Sequence, residues 1–339
     1  MDFFGLDIGS HYLKAVELKK AGDKYDLRAA GTTASTGKGV FSDAENDLTV
    51  LAQKIKKLID ELKIGTKNVA VALPEDQVFT RLISLPKLSS QELESALNWE
   101  AEQYVPLPLS EITLSHQIVG QTSLQGKEKL EVLLVASPNR LIDKTVQILR
   151  SSGLNPISLE TEILSMSRSL VGASKETTLL VDLGAKASDL AIVENSQVIF
   201  TRSIATAGEA LTRAISTGLG LETSRSEEYK KAYGANPERL EGKVLKAIEP
   251  VLEAIAKEIS AAIQFYVSQK EQRVVKRILL TGGSAMVPNL TYWMTKKVGL
   301  EVQIGNPFIQ VNQSELLGKL SKETYCFYSV AAGLAMKEA

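Results

Sequence analysis

Two stretches of this chain, one at its start and one past its middle, follow a single plan. "GLDIGSHYLKAVEL", beginning at Gly5, and "LVDLGAKASDLAIV", beginning at Leu180, each read as an apolar strand, an Asp-aliphatic-Gly turn, a short polar step and a return strand. Asp7 corresponds to Asp182, and Gly9 to Gly184. An internal repeat restricts a chain more than any lone motif, because both copies must find equivalent packing partners. Two like units heading two halves predict two related α/β domains that face each other across a cleft. The 339 residues suffice for one or two full cores.

The remaining elements fit that plan. After the opening strands comes a third, "YDLRAAGTTA", then a Gly/Ser/Thr-rich loop, "STGKGVFSD", and a helix over 47–62 whose stripe is Leu51, Ile55, Leu58, Ile59 and Leu62. "KNVAVALPE" is a continuous apolar run, as expected of a strand buried on both faces. Residues 79–154 then read strand, helix, strand, strand, helix, which is enough for a small inserted α+β unit. Its first helix starts with Ser89 and Glu92 at capping-box spacing and stops before Pro106 and Pro108. Past the second repeat, "PVLEAIAKEISAAIQFYVSQK" predicts a helix with Pro250 in its first turn. "VKRILLTGGSAMVPNL" predicts a buried strand, a glycine turn and a helix start, and "CFYSVAAGLAMKEA" a closing helix.

The turns carry more than a turn requires. Glycine at a hairpin tip lets successive backbone N–H groups point at an anion. Ser10 and Ser188 add hydroxyl donors, and Lys14 on the return strand offers a point charge to phosphate oxygens. Asp7 and Asp182 cannot hold phosphate themselves; their sensible partner is Mg²⁺ or its waters. Asp-X-Gly also serves as a plain hairpin turn, so neither copy decides alone. Gly282-Gly283-Ser284, after a buried strand and at a helix start, is a third place where backbone favours a nucleotide's polar groups. Three such sites in order, in a duplicated chain, point to a nucleotide cleft.

With those residues in place, the sequence resembles the actin-like ATPase superfamily of actin, sugar kinases, heat-shock chaperone ATPases and the division protein FtsA. "LDIGSHYLKAVEL" looks like its first phosphate motif, "LLVDLGAKASDLAIV" its second and "ILLTGGSAMVPNL" its adenosine motif. Within the superfamily, "LNWEAEQYVPLPLSE", "SEEYKKAYG" and "SVAAGLAM" are similar to stretches of the PilM family, cytoplasmic actin-like components of type IV pilus assembly. The resemblance covers essentially the whole chain. It implies an actin-like α/β fold of two lobes, each a duplicated mixed-sheet domain, with an inserted subdomain (1C) at 79–154. Lobe 1 (1A) would take 1–78, 155–172 and 324–339; lobe 2 would take 173–212 with 274–323 (2A) and 213–273 (2B).

The resemblance further implies ATP and Mg²⁺ as ligands and, at most, slow hydrolysis. Gly9, Ser10, Lys14, Gly184, Ser188, Gly208, Glu227, Lys230, Gly282, Gly283 and Ser284 would contact nucleotide, with Asp7 and Asp182 on the metal side. Glu227 and Lys230 match the helix lining the adenine and ribose side, and Glu160 and Glu162 match acidic positions near the attacking water. The implied partner is the cytoplasmic N-terminal tail of PilN, docking between the first lobe and the insert; pilus motors and platform proteins are further candidates. The place implied is the cytoplasm, peripheral at the inner face of the membrane. A small-molecule kinase and an FtsA-like division protein are the alternatives. His11-Tyr12-Leu13 and Ala207 depart from the family's small residues.

Composition narrows the rest. A formal net charge of -1 gives no global field for nucleic acid or anionic lipid. The lone Cys326 excludes an internal disulfide and a cysteine-based zinc cluster, and His11 and His116 are the only histidines, so triads and His-rich metal sites lack material. The first residues carry Asp2 and Asp7 within an apolar stretch and no basic region, unlike a signal peptide, and no run approaches membrane-spanning length. His11 reads as an exposed turn residue and Glu100 and Glu102 as a solvated face. Trp99 fits either an interface anchor or a core position.

Overall fold

The two copies of the repeat fold alike. In the computed structural model, which describes residues 1–37, 40, 42–124, 127–269 and 273–338, β1 (Phe4–Ile8), β2 (Tyr12–Ala21), β3 (Lys24–Ala34), β4 (Asn68–Leu73) and β8 (Asn155–Thr161) form one sheet in the order β3-β2-β1-β4-β8. β9 (Thr178–Leu183), β10 (Ser188–Glu194), β11 (Gln197–Ile204), β12 (Arg277–Thr281) and β13 (Val302–Ile304) form another in the order β11-β10-β9-β12-β13. Strand for strand the directions match: the hairpin partners are antiparallel, and the two strands beyond each central one run parallel to it. Positions 38, 39 and 41 of the glycine-rich loop, and 125 and 126 of the polar turn in the insert, lie outside the described residues.

Helices cover one face of each sheet. In lobe 1, α1 (Glu45–Glu61) and α3 (Asn139–Ser151) bury Leu51, Ile55, Ile148 and Leu149 against Phe4, Leu6 and Leu13. Each such side chain removed from water contributes about 2 kcal/mol. In lobe 2, α5 (Gly208–Leu219), α7 (Lys243–Ser268) and α8 (Leu290–Val298) cover Leu179, Val181 and Ile192 with Leu211, Ile255, Ile259 and Met294. α6 (Thr223–Tyr233) lies outside α5. The expected helix around Pro250 begins earlier, at Lys243, so the proline is interior rather than first-turn. Val244 and Ile248, upstream of it, belong to the same buried stripe as Leu252, and this packing outweighs the lost backbone bond, a cost of about 3 kcal/mol.

The insert forms a unit of its own. β5 (Phe79–Pro86), β6 (Ile112–Leu124) and β7 (Lys127–Pro138) make an antiparallel sheet ordered β5-β7-β6, and α2 (Ser90–Tyr104) packs Leu93, Leu97 and Ala101 on its Val132, Leu134 and Ala136. The capping box at Ser89 and Glu92 is present. α3, placed with the insert by its sequence position, packs instead into the core of lobe 1. The insert's own core therefore ends at Ala136.

Two short helices join the lobes. α4 (Glu162–Leu170) follows β8 of lobe 1, yet packs Ile163, Met166 and Leu170 in one cluster with Leu180, Ala191 and Leu279 of the lobe 2 sheet. After the short α9 (Glu315–Lys319), α10 (Ser329–Ala335) follows lobe 2 and returns onto β1 and β2. The two helices touch closely. A Cβ on Gly333 would overlap the Ser165 carbonyl, and one on Gly5 would overlap that of Ala331. The Ser165 hydroxyl donates to the Val330 carbonyl at 2.6 Å, and that of Ser169 to Ser329 at 2.7 Å. Among the described residues no helix is long and apolar enough to cross a membrane.

Candidate functional site

The exchange of α4 and α10 brings the two hairpin turns face to face. Between them lies a cleft of about 530 Å³, lined from lobe 1 by Asp7, residues 8–12 and Lys14, and from lobe 2 by Asp182, residues 184–187, Gly208 and residues 282–284. This is within the range of small-molecule sites.

Register sets the charges. In β1 and β2, Asp7 stands opposite Lys14, and Lys14 Nζ reaches Asp7 Oδ2 at 2.6 Å. Burial pulls the Lys14 ammonium down, but Asp7, with Asp182 and Glu162, outweighs it and holds the pKa above its ordinary value. In β9 and β10 the matching register places Asp182 opposite Asp189. There is no lysine on this side of the pair. Burial, with Asp7 adding and Lys14 opposing, pushes Asp182 up to about 6. Burial also drives Asp189 well above the carboxylate range, against a bond from Ser203 and with Asp182 and Glu75 adding to it. Its Oδ1 is buried without a partner.

Glu162, the first residue of α4, lines the cleft and accepts the Glu75 backbone N–H at 3.1 Å. Burial, then Asp7, Asp189 and Asp182, raise its pKa strongly. Glu75 sits in the turn between β4 and the insert (Glu75–Gln77), with Thr80 of β5 donating to its Oε1 at 3.3 Å. Burial lifts it to about 7, and its Oε2 has no partner. At this end of the cleft, Lys14 among the carboxylates of Asp7, Asp182 and Glu162 is a poor host for an anion alone.

The far wall is better neutralised. Lys230 Nζ donates to the Gly208 carbonyl at 3.0 Å and Thr212 Oγ1 at 2.9 Å, and pairs with Glu227 Oε2 at 2.6 Å. Burial of Glu227 is outweighed by these partners, which hold it below the ordinary range. Gly282 has φ 84° and no room for a Cβ beside Asp182 and Leu183. Met286, Val287 and Phe327 supply an apolar surface, and Tyr12 meets Phe327 edge-on at 5.2 Å.

Of the sequence candidates, Asp7, Gly9, Ser10, Lys14, Glu162, Asp182, Gly184, Gly208, Glu227, Lys230, Gly282, Gly283 and Ser284 come together on this cleft. Two do not. Glu160 points away from it, held by Arg168 at 2.8 and 2.9 Å and by Lys337 at 3.0 Å, so its carboxylate is committed to the α4–α10 joint. The Ser188 hydroxyl is buried and donates to the Thr206 carbonyl at 2.6 Å. It is the register partner of Leu183, not the counterpart of Ser10. The hydroxyl of Ser284 is also engaged, with the Gly184 carbonyl at 3.0 Å.

Sequence reasoning missed Asp189, Glu75 and a role for His11. Asp189 was legible: it follows Asp182 at the spacing at which Lys14 follows Asp7. Nothing local marks Glu75. His11, expected as an exposed turn residue, is exposed and also reaches across the cleft to Glu209 at 3.0 Å.

Comparison with known proteins agrees with this architecture. FtsA of Streptococcus pneumoniae serotype 2 is 23% identical over 346 residues, covering 90% of this chain and 75% of FtsA. The structure of a PilM–PilN type IV pilus biogenesis complex contains a chain 27% identical, with a TM-score of 0.84 over 99% of this chain and 98% of that one. MreB5 of Spiroplasma citri, in a crystal structure bound to AMPPNP, shares the fold at 12% identity, with a TM-score of 0.54 over 98% of this chain and 94% of its own. Residues 5–339 match the profile of the type IV pilus assembly protein PilM family, and with its two-lobed actin-like architecture the chain belongs to that family.

Proposed function

We propose that this chain is a nucleotide-dependent adaptor of the type IV pilus machinery, binding Mg-ATP between its lobes and the cytoplasmic tail of PilN on its surface. The observation that carries the nucleotide reading is the cleft itself, with two glycine turns opposed across about 530 Å³ and Asp7 and Asp182 at their roots. The residues present fit a metal-bound polyphosphate. Asp189 Oδ1 is buried without a partner, and the carboxylates of Asp7, Asp182 and Glu162 gather on Lys14. Among the described residues no three His, Cys, Asp or Glu side chains are placed to hold a metal ion unaided. Asp7 and Asp182 would therefore flank Mg²⁺, which would supply charge neutralisation beside the phosphates. Lys14 binds phosphate by charge, the turn amides orient it, and Lys230 and Glu227 shape the nucleoside wall. Glu162 is the carboxylate placed to position a water, and its raised pKa suits slow turnover at most.

The partner reading rests on the PilM–PilN complex, whose PilM chain this one matches across nearly its full length. On this reading the protein works at the cytoplasmic face of the inner membrane through PilN. Lobes that close on a nucleotide change their relative angle, and the insert, rooted at the Glu75 turn beside Glu162, would carry that change to the partner. The test is calorimetric titration of nucleotide-stripped protein with Mg-ATP, then with a PilN tail peptide, for wild type, Asp7→Ala and a variant lacking residues 79–136. Asp7→Ala should lose ATP and keep the peptide; the deletion should do the reverse. Peptide binding that survives the deletion unchanged would place the partner elsewhere, and no heat with Mg-ATP would make the protein a scaffold.

A further inference from the structure

The lobes touch not only through α4 and α10 but also at the mouth of the cleft. His11 Nε2, in the β1–β2 turn of lobe 1, lies 3.0 Å from Glu209 Oε1 in the first turn of α5 of lobe 2. Beside it, Lys186 Nζ in the β9–β10 turn donates to the Gly37 carbonyl after β3 at 3.2 Å. Each contact joins a phosphate-type turn of one lobe to a loop or helix of the other. Both sit over the space between the two turns.

Glu209 is held for this role. Its backbone N–H donates to the Ala185 carbonyl at 2.8 Å, which fixes it to the second turn, and Arg213 approaches its other oxygen at 3.7 Å. On the opposite side the Ser35 N–H donates to the His11 carbonyl at 2.8 Å, which ties the first turn to the end of β3. Thus both partners ride on rigid backbone, and their separation reports the opening of the cleft rather than side-chain wandering. The same cleft is lined by Glu209 and Lys186 from lobe 2 and by the Asp7–Lys14 pair of the hairpin that carries His11.

We propose that His11 and Glu209 form an interlobe latch that closes the phosphate end of the cleft and sets the rate at which nucleotide leaves. The proposal rests on the nucleotide reading for its ligand, but the latch itself exists without one. Nucleotide enters or leaves past the paired turns, so the bond must open first; the Lys186 contact shares the load. The contact needs only a proton on Nε2, which either the neutral tautomer or the imidazolium supplies.

The test uses the full chain and two readouts. Spin labels on Asp60→Cys in α1 and Glu238→Cys after α6, with the buried Cys326 left in place, measure the lobe-to-lobe distance by pulsed EPR without nucleotide. Stopped-flow release of a fluorescent ATP analogue measures the exit rate. His11→Glu, which sets two carboxylates against each other, should lengthen and broaden the distance distribution and speed release about three- to tenfold, as expected for one lost hydrogen bond on a barrier. The exchanged pair His11→Glu with Glu209→His should restore both. A distance distribution unchanged by His11→Glu, or a double variant whose effects merely add, would overturn the latch. If no variant or wild type binds the analogue while the distance responds as stated, the latch stands and the nucleotide reading fails.

Discussion

Replacing Glu75 by glutamine tests the electrostatics of the lobe–insert hinge with a sign that cannot be mistaken. Glu75 is 5% exposed, and burial raises its carboxyl from 4.5 to about 7. The folded state therefore holds this proton more tightly than the unfolded chain. Between pH 4.5 and 7 the folded protein binds more protons, so stability falls as pH rises, and above 7 the loss is complete. A difference of about 2.5 units at 1.36 kcal/mol each makes that loss about 3 kcal/mol. Glu75→Gln keeps the acceptor for Thr80 and removes the titration. Its amide nitrogen lacks a partner where Oε2 lacked one, a cost independent of pH. The variant-minus-wild-type difference should thus move by about 3 kcal/mol in favour of the variant between pH 4.5 and 8.5. At about 2 °C per kcal/mol in a chain of this size, calorimetric midpoints should separate by about a further 6 °C. Relief of Asp189, which Glu75 pushes upward, acts in the same direction. A midpoint difference that stays constant across this range would mean instead that the Glu75 carboxylate is ionised and solvated throughout.

Three other outcomes follow from the same geometry. Gly333→Val drives a side chain into the Ser165 carbonyl at the α4–α10 contact and should cost more than about 4 kcal/mol or abolish soluble expression, as read by thermal unfolding beside Gly333→Ala. Arg168→Ala leaves the buried Glu160 carboxylate with Lys337 alone and should destabilise by about 3 kcal/mol in urea titrations, with Arg168→Lys recovering only part because the two-pronged contact is lost. ATP affinity should drop at least tenfold when EDTA removes the divalent cation, and weaken at fixed Mg²⁺ as pH falls through about 6, where Asp182 takes up a proton. Equal ATP affinity with and without the metal would show that the carboxylates do not face the phosphates.

Much of this was readable in the residues because the repeat is a local pattern in strands, and strand register is nearly fixed once a hairpin turn is set. From Asp7-Ile8-Gly9 the pairing of Asp7 with Lys14 follows almost by counting. The same counting applied to the second copy leads to Asp189, although the hydroxyl of Ser188 beside it drew attention as a donor and turned out to face inward. What the sequence could not disclose are contacts between distant segments. Glu160 and Glu162 differ by one strand position plus a helix start, and only the placement of α10, some 170 residues on, decides that Arg168 and Lys337 claim the first and leave the second in the cleft. α3 looked like the end of the insert because it follows β7 directly; its stripe of Ile148 and Leu149 could cover either sheet, and the lobe 1 sheet had the uncovered face.

The duplication also explains why the cleft is electrostatically lopsided. Shared backbone geometry gives both lobes the same turn, and so the same set of inward amides. The return strands then differ at the register position opposite the turn aspartate, Lys14 in lobe 1 and Asp189 in lobe 2. Had both positions been lysine, each aspartate would be neutralised within its own hairpin, and a bare polyphosphate could sit between two ammonium groups. With aspartate in the second place, Asp182 and Asp189 oppose each other, and Asp182 leans on Lys14 from across the gap, adding to the Asp7 contact that holds that lysine above its ordinary pKa despite burial. Separating the lobes removes Lys14 from Asp182 and leaves the lobe 2 carboxylates uncompensated. Closure also brings Asp7 against Asp182, a repulsion that a cation between them relieves, so cation binding and a closed cleft each favour the other, and lobe angle becomes sensitive to what the cleft holds.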